Sequence, residues 1–239
     1  MILDQRLEIS KLVNKDVCII ILDACRYDYF EMLYSNFFDG NLMPAKSPAS
    51  CTLWWLKSCF PYFYDITYYS ANPHVNSVKS IYNYFGRDHF KEIVDVWRFG
   101  WSRELGTVPP KNVNTAYIDR PPRCNTVIIH YVQPHFPPCF KINIKLPEKK
   151  DPLDVKWIDV FLSELVKKGR MTLKEYRGLY KENLIHVLRA VADLIPFIRN
   201  SRIIITSDHG EFLGENNCFL HPCHRSDHVL RVVPWFIVK

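Results

Sequence analysis

Three runs of apolar, mostly β-branched residues constrain the fold more than anything else in this chain. They are Val17-Cys18-Ile19-Ile20-Ile21-Leu22, Thr126-Val127-Ile128-Ile129-His130-Tyr131-Val132 and Ile203-Ile204-Ile205-Thr206. None alternates polar with apolar, so each reads as a strand covered on both faces. Such strands belong to a mainly parallel sheet sandwiched by helices. Helical spacing is read over 26–33, 52–59, 153–168 and 172–198. The last carries an apolar stripe of Leu184, Val187, Leu188, Val191 and Leu194, which Pro196 ends or kinks. Further strands are expected over 67–70, 93–97 and 232–238, where Pro234 predicts a sheet edge or a bulge. A loop is expected over 39–51, a helix over 77–91 and an exposed Lys-rich stretch over 140–151. A long surface excursion is expected over 98–123, which holds two Pro-Pro pairs. The expected architecture is a single α/β domain over residues 1–239 with a mixed, mainly parallel sheet.

Each of the three runs stops at residues that suit an ion better than a core. The first ends at Asp23. The second carries His130 and runs into His135, on a loop stiffened by Pro134, Pro137 and Pro138. The third ends at Asp208-His209-Gly210. In an open α/β sheet, ligands bind beyond the carboxyl ends of the strands, so all these groups fall on one edge. Taken singly, an Asp after a strand is usually a cap or turn former, and a lone His a satisfied loop residue. Three such exits in one chain favour a site. Carboxylate plus imidazole suits Zn or Mn, or Ca with more oxygens. Thr52 adds a hydroxyl where a helix starts after Ser50-Cys51, and free backbone N–H groups there favour negative charge. Alone, Thr52 reads as an ordinary N-cap.

The bulk numbers exclude several classes. With 239 residues, 48% of them hydrophobic, the chain can bury a sizeable core and is not disordered. A net charge of +6 suits a small anionic ester or headgroup, but no Lys/Arg block resembles a nucleic-acid arm. Neither G-x-G-x-x-G nor a P-loop occurs, which disfavours a nucleotide-binding module. The eight cysteines form no C-x-x-C pair. Neither a basic, apolar leader nor an apolar run of membrane length is read. The expectation is a cytoplasmic protein with mostly reduced thiols; a hyperthermophilic source would allow buried disulfides.

A family resemblance rests on an ordered set of motifs. They are Leu22-Asp23-Ala24-Cys25-Arg26-Tyr27-Asp28, Ser47-Pro48-Ala49-Ser50-Cys51-Thr52, Ser70-Ala71-Asn72-Pro73 and Val94-Asp95-Val96-Trp97. Gly106-Thr107-Val108-Pro109-Pro110, His130-Tyr131-Val132-Gln133-Pro134-His135, Thr206-Ser207-Asp208-His209-Gly210-Glu211 and His221-Pro222 follow, with Leu230-Arg231-Val232-Val233-Pro234-Trp235 last. In this order they resemble the alkaline phosphatase/sulfatase superfamily, in particular its archaeal sulfatase-like members. The resemblance implies an alkaline-phosphatase-like core without the C-terminal subdomain of larger sulfatases. It implies one divalent metal held by Asp23, Asp208, His209 and Thr52, with His221 and His130 as further candidates. Thr52 would be the nucleophile, forming a covalent intermediate that water or an acceptor alcohol resolves. His135 and His221 would face the substrate, Lys57 and Arg231 could clamp its anion, and Arg26 would be structural. Classical sulfatases need Cys-x-Pro/Ala-x-Arg for formylglycine. Cys51-Thr52-Leu53-Trp54-Trp55 lacks that proline and arginine, and Cys59-Phe60-Pro61-Tyr62-Phe63 lacks the arginine. A phosphate ester is therefore favoured over a sulfate ester. The competing readings are a sulfuric ester hydrolase, a non-catalytic relative that binds a metal or an anion, and a purely structural α/β protein.

Overall fold

The computed structural model describes residues 2–144, 146–147 and 157–239, without the side chains of 157–159. In chain order the strands are β1 (Leu3–Asp4), β2 (Val17–Leu22), β3 (Gly40–Lys46), β4 (Tyr64–Ser70), β5 (Phe90–Asp95), β6 (Thr126–Tyr131), β7 (Ile203–Thr206), β8 (Phe212–Leu213), β9 (Phe219–Leu220) and β10 (Val232–Val238). The α-helices are α1 (Gln5–Leu12), α2 (Tyr27–Leu33), α3 (Thr52–Cys59), α4 (Val96–Phe99), α5 (Pro110–Asp119), α6 (Trp157–Lys167), α7 (Leu173–Leu194) and α8 (His228–Arg231). Eight strands form one sheet in the order β1-β3-β10-β7-β2-β6-β4-β5; β8 and β9 pair as a separate hairpin. Only β10 runs against its neighbours β3 and β7, so the sheet is mixed and mainly parallel, as expected.

The unbroken apolar runs have the predicted cause. All six residues of β2 are buried. Cys18, Ile20 and Leu22 face a core with α2, α5 and α7; Val17, Ile19 and Ile21 face one with α1 and α3. The stripe on α7, including Leu184, Val187 and Leu188, fills the first core, each side chain contributing about 2 kcal/mol of burial. A capping box starts α7: Thr172 Oγ1 accepts from the Glu175 N–H at 3.2 Å, and Glu175 Oε2 accepts from the Thr172 N–H at 2.7 Å. The α-helix gives way to a 3₁₀ turn at Ile195–Phe197, around Pro196.

Four local expectations are corrected. The loop expected over 39–51 contains β3, because β10 offers it seven residues of antiparallel register. The helix expected over 77–91 is a bridge between Ile81 and Tyr84, a 3₁₀ turn at Gly86–Asp88 and the start of β5. The excursion expected over 98–123 holds α5, started by Pro110 in its first turn and anchored by Val113, Ala116 and Tyr117 in the core. Pro234 is interior rather than at an edge or bulge. It lies opposite Pro44, which puts two residues without N–H on one rung, and its carbonyl accepts from Thr206 Oγ1 at 2.6 Å. The expected helix over 153–168 is α6 where described; 153–156 and part of the Lys-rich stretch fall outside the described residues.

Candidate functional site

The exits of β2, β4, β6 and β7 are adjacent at one edge of the sheet. At β7, Ser207 Oγ donates to the His209 carbonyl (2.6 Å), and the Asp208 carbonyl accepts from Ser47 Oγ (2.5 Å). Gly210 is required by close approach: a Cβ there would lie 1.9 Å from the Val229 carbonyl oxygen. At β2, Ala24 takes a left-handed backbone (φ 57°), strained for a residue with a Cβ. The turn is fixed by Ala24 N–H to Asp208 Oδ1 (3.1 Å), Cys25 N–H to Ser207 Oγ (2.8 Å) and Tyr180 Oη to the Ala24 carbonyl (2.7 Å). At β6, the Gln133–Pro134 and Phe136–Pro137 bonds are cis. Asn183 of α7 donates to the Pro134 and His135 carbonyls at 3.0 and 3.1 Å and so holds the loop that carries His135.

Asp23, Asp208 and His209 converge, their ligand atoms within 4.8 Å of one another. Asp23 Oδ1 and Asp208 Oδ2 are buried with no hydrogen-bond partner. His209 Nδ1 donates to the Gly210 carbonyl at 2.8 Å, so Nε2 presents its lone pair. That nitrogen lies 3.7 Å from Asp23 Oδ1, 3.3 Å from Asp208 Oδ2 and 3.3 Å from Thr52 Oγ1. Two buried carboxylate oxygens and an imidazole lone pair facing one another fit a divalent cation. Burial, and then the charge of Asp208, push the Asp23 carboxyl well above its ordinary range. Burial would also raise Asp208, but His209, then His130, and the Ala24 N–H hold it below its ordinary value.

His135 and His221 meet at 2.7 Å between their Nε2 atoms, and the His221 ring sits 4.3 Å from that of His209. His135 Nδ1 donates to the Phe136 carbonyl (2.7 Å), so His221 donates the shared proton. Burial, then its histidine neighbours, push His221 well below the ordinary range, which keeps it neutral. His130 lies beneath the site. Its Nδ1 meets Tyr68 Oη at 2.7 Å and its Nε2 is 3.7 Å from Asp23 Oδ2. Lys57 and Arg231, expected as anion clamps, are engaged elsewhere. Lys57 donates to the Tyr82 carbonyl at 2.9 Å and lies over the Trp54 ring. Arg231 donates to the Ser47 and Arg225 carbonyls at 2.7 and 3.3 Å. Arg26 is structural, paired with Asp28 and Glu215 at 2.7 and 2.6 Å.

Three features were not read as functional from the sequence. Asn72 donates to Asp23 Oδ2 at 2.5 Å, and His74 lines the same cleft; both follow β4, a fourth strand ending in polar residues. Gln5 of α1 is wholly buried. It donates to Thr206 Oγ1 (2.9 Å) and the Ser207 carbonyl (2.6 Å), and accepts from Trp55 Nε1 (3.0 Å). Cys51 and Cys223 form a disulfide, which corrects the expectation of reduced thiols at that pair; the other six cysteines are free. The cleft above the site has a volume of about 640 Å³. Asp23, Thr52 and His221 lie on its polar side, and Trp101, Phe136 and Phe219 are among its apolar walls. A hollow of about 850 Å³ beside β5 is larger, but none of the converging site groups lines it.

No protein-family model and no curated protein matches the sequence. Solved structures do match. One is the integral membrane protein lipooligosaccharide phosphoethanolamine transferase A from Neisseria meningitidis, with TM-score 0.56 and 14% identity over 94% of this chain. The match covers 48% of that protein, so the chain spans about half its length. The C-terminal periplasmic domain of EcEptC from Escherichia coli, in complex with Zn, has TM-score 0.55 and 14% identity over 95% of this chain and 73% of its own. The phosphonate monoester hydrolase of Agrobacterium radiobacter has TM-score 0.54 and 12% identity over 93% and 68%. The fold is alkaline-phosphatase-like. Among the described residues, no helix is long and apolar enough to cross a membrane.

Proposed function

We propose that this chain hydrolyses or transfers a phosphate ester, with a sulfate ester less favoured, through Thr52 as nucleophile. The observation that carries the proposal is Thr52 Oγ1, 3.3 Å from His209 Nε2, beside two buried carboxylate oxygens that have no hydrogen-bond partner. Asp23, Asp208 and His209 would hold one divalent ion (Zn, Mn or Ca), with Thr52 at its edge. When bound, that ion supplies positive charge for an ester oxygen and makes a nearby hydroxyl more acidic. Thr52 opens α3, whose first N–H groups have no intrahelical partner and favour the anionic group. Its Oγ1 forms the new bond to phosphorus as the bond to the leaving oxygen breaks. His221 and His135, tied to each other through their Nε2 atoms, line the cleft on the substrate side, and the proton that Thr52 gives up passes through water in the cleft to that oxygen. Water or an acceptor alcohol then releases the group from Thr52. The apolar walls favour an ester with an apolar arm. Disulfides persist in oxidising compartments and in hyperthermophiles, so the cytoplasmic location read from the sequence goes with a hyperthermophilic source.

The test is metal analysis followed by nitrophenyl esters of phosphate, alkyl phosphate and sulfate. Thr52→Ala is expected to lose turnover by about a thousandfold or more, and Thr52→Ser to keep a measurable part. Absence of turnover of every ester with Zn, Mn or Ca added would refute the enzymatic reading. Full turnover by Thr52→Ala would refute the nucleophile.

A further inference from the structure

Cys51 immediately precedes the proposed nucleophile, and Cys223 lies two residues beyond His221. Their disulfide joins points 172 residues apart in sequence, Cα to Cα 5.3 Å. Cys51 occupies the N-cap position of α3 in extended backbone, and its side chain makes no capping bond; it is spent on the crosslink instead. Two hydrogen bonds run parallel to the disulfide. Ser50 Oγ donates to the Pro222 carbonyl at 2.8 Å and accepts from the Arg225 N–H at 3.1 Å. The Trp54 ring meets the His224 ring at 4.8 Å. Residues 50–54 and 222–225 are thus bolted together at four points, with Thr52 on one side and His221 on the other.

The tied segment does not hold this shape through its own backbone. Leu220 (φ 66°), just before it, and His224 (φ 65°), within it, both lie in the left-handed region that a Cβ disfavours. Pro222, Cys223 and His224 are exposed, so the segment has little core of its own. By contrast, Asp23 and Asp208-His209 follow buried strands directly and do not depend on the bolt.

We infer that the Cys51–Cys223 disulfide holds His221 in the cleft that Thr52 lines, and that a dithiol reductant switches the site off by releasing it. The inference rests on the proposed ester chemistry for its effect on turnover, but not for its effect on the loop. The chemistry balances. A thiolate of the reductant attacks the sulfur of Cys223, the exposed partner of the pair, the Cys51–Cys223 bond breaks, and Cys51 leaves as a thiolate. The second thiol of the reagent then displaces Cys223. The reagent ends as a cyclic disulfide, and its two protons pass to the two cysteine sulfurs.

The experiment compares the full chain oxidised, treated with dithiothreitol, and reoxidised, with Cys223→Ser as a variant locked open. Amide exchange over 219–226 is expected to rise by about tenfold or more on reduction, with β2 and β6 unchanged. Affinity for Mn²⁺ stays within about twofold, because its three ligands lie on the strand exits. Turnover number falls by about tenfold or more and returns on reoxidation; Cys223→Ser starts low and ignores the reagent. Unchanged exchange over 219–226 overturns the inference, whether or not any ester is turned over. So does full turnover by the reduced protein. Loss of protection throughout the sheet also overturns it, since the disulfide would then be a staple of the whole fold. If the oxidised, metal-loaded protein turns over nothing, the ester reading fails. Exchange and metal affinity still decide whether the bolt positions the loop.

Discussion

Replacing Asp208 by Asn is expected to act in opposite directions with and without the divalent ion. Asp208 Oδ1 accepts from the Ala24 N–H at 3.1 Å and the His209 N–H at 2.9 Å, bonds that an amide oxygen keeps. Oδ2 has no hydrogen-bond partner and lies 3.3 Å from His209 Nε2, where an amide nitrogen would donate to the ring's lone pair. The change also removes one of two buried charges whose facing oxygens lie within 4.8 Å. At an effective dielectric of about 20, that separation corresponds to about 3 kcal/mol of repulsion. This is an upper bound, because Asp23, held above its ordinary range, takes up a proton and relieves part of the repulsion. At pH 7, where burial leaves His130 and His209 neutral so that they no longer offset the Asp208 charge, the metal-free Asp208→Asn protein should therefore be about 1–3 kcal/mol more stable than wild type. With the ion, wild type gains about 2.7 kcal/mol at a hundredfold excess over its Kd, while the variant, short of one ligand, gains far less. Urea unfolding of both proteins in EDTA and in MnCl₂ measures all four values. A variant less stable than wild type in EDTA refutes the repulsion, and equal gains from Mn²⁺ refute the ligand assignment.

Gly210→Ala should cost about 2–3 kcal/mol, since its Cβ meets a backbone carbonyl that cannot swing aside. Gly178→Ala in α7, with nothing within 4 Å of the new carbon, should instead add about 0.5–1 kcal/mol; urea midpoints compare the two. Burial lowers His130 from 6.5 to about 4 in the fold. The unfolded chain takes up that proton first, so the stability it favours is whole above pH 6.5 and is lost as pH falls towards 4. In EDTA, the advantage of wild type over His130→Gln should shrink by about 3 kcal/mol across that interval, and a constant difference would contradict the shift.

The sheet was legible because its central strands are buried on both faces, and β2, β6 and β7 need no partner to reveal themselves as unbroken apolar runs. The strand exits were legible for the same reason, since Asp23 and Asp208-His209 follow those runs directly. What escaped was set by distant partners. β3 is a strand because β10 lies beside it, and Pro234 sits inside the sheet because Pro44 faces it. α5 hides behind Pro-rich flanks, and its apolar face matters only against α7 and the sheet. Asn72 escaped notice as a site residue because its carboxylate partner is 49 residues away. Lys57 and Arg231 carried the right charge for an anion, and the carbonyls they donate to, those of Tyr82 and Ser47, belong to distant parts of the sequence. No spacing rule joins Cys51 to Cys223 across 172 residues.

Gln5 gives the site a mechanical scale. One amide group spans α1, the Trp55 side of α3 and the Thr206-Ser207 end of β7. The separation between the helix of the proposed nucleophile and the strand of the proposed ligands is thereby gauged by a residue that lines no part of the cleft. Anyone retuning that gap for a larger ion or a bulkier ester would find the adjusting screw here. Random mutagenesis scored by turnover would, for the same reason, flag position 5 as if it belonged to the chemistry.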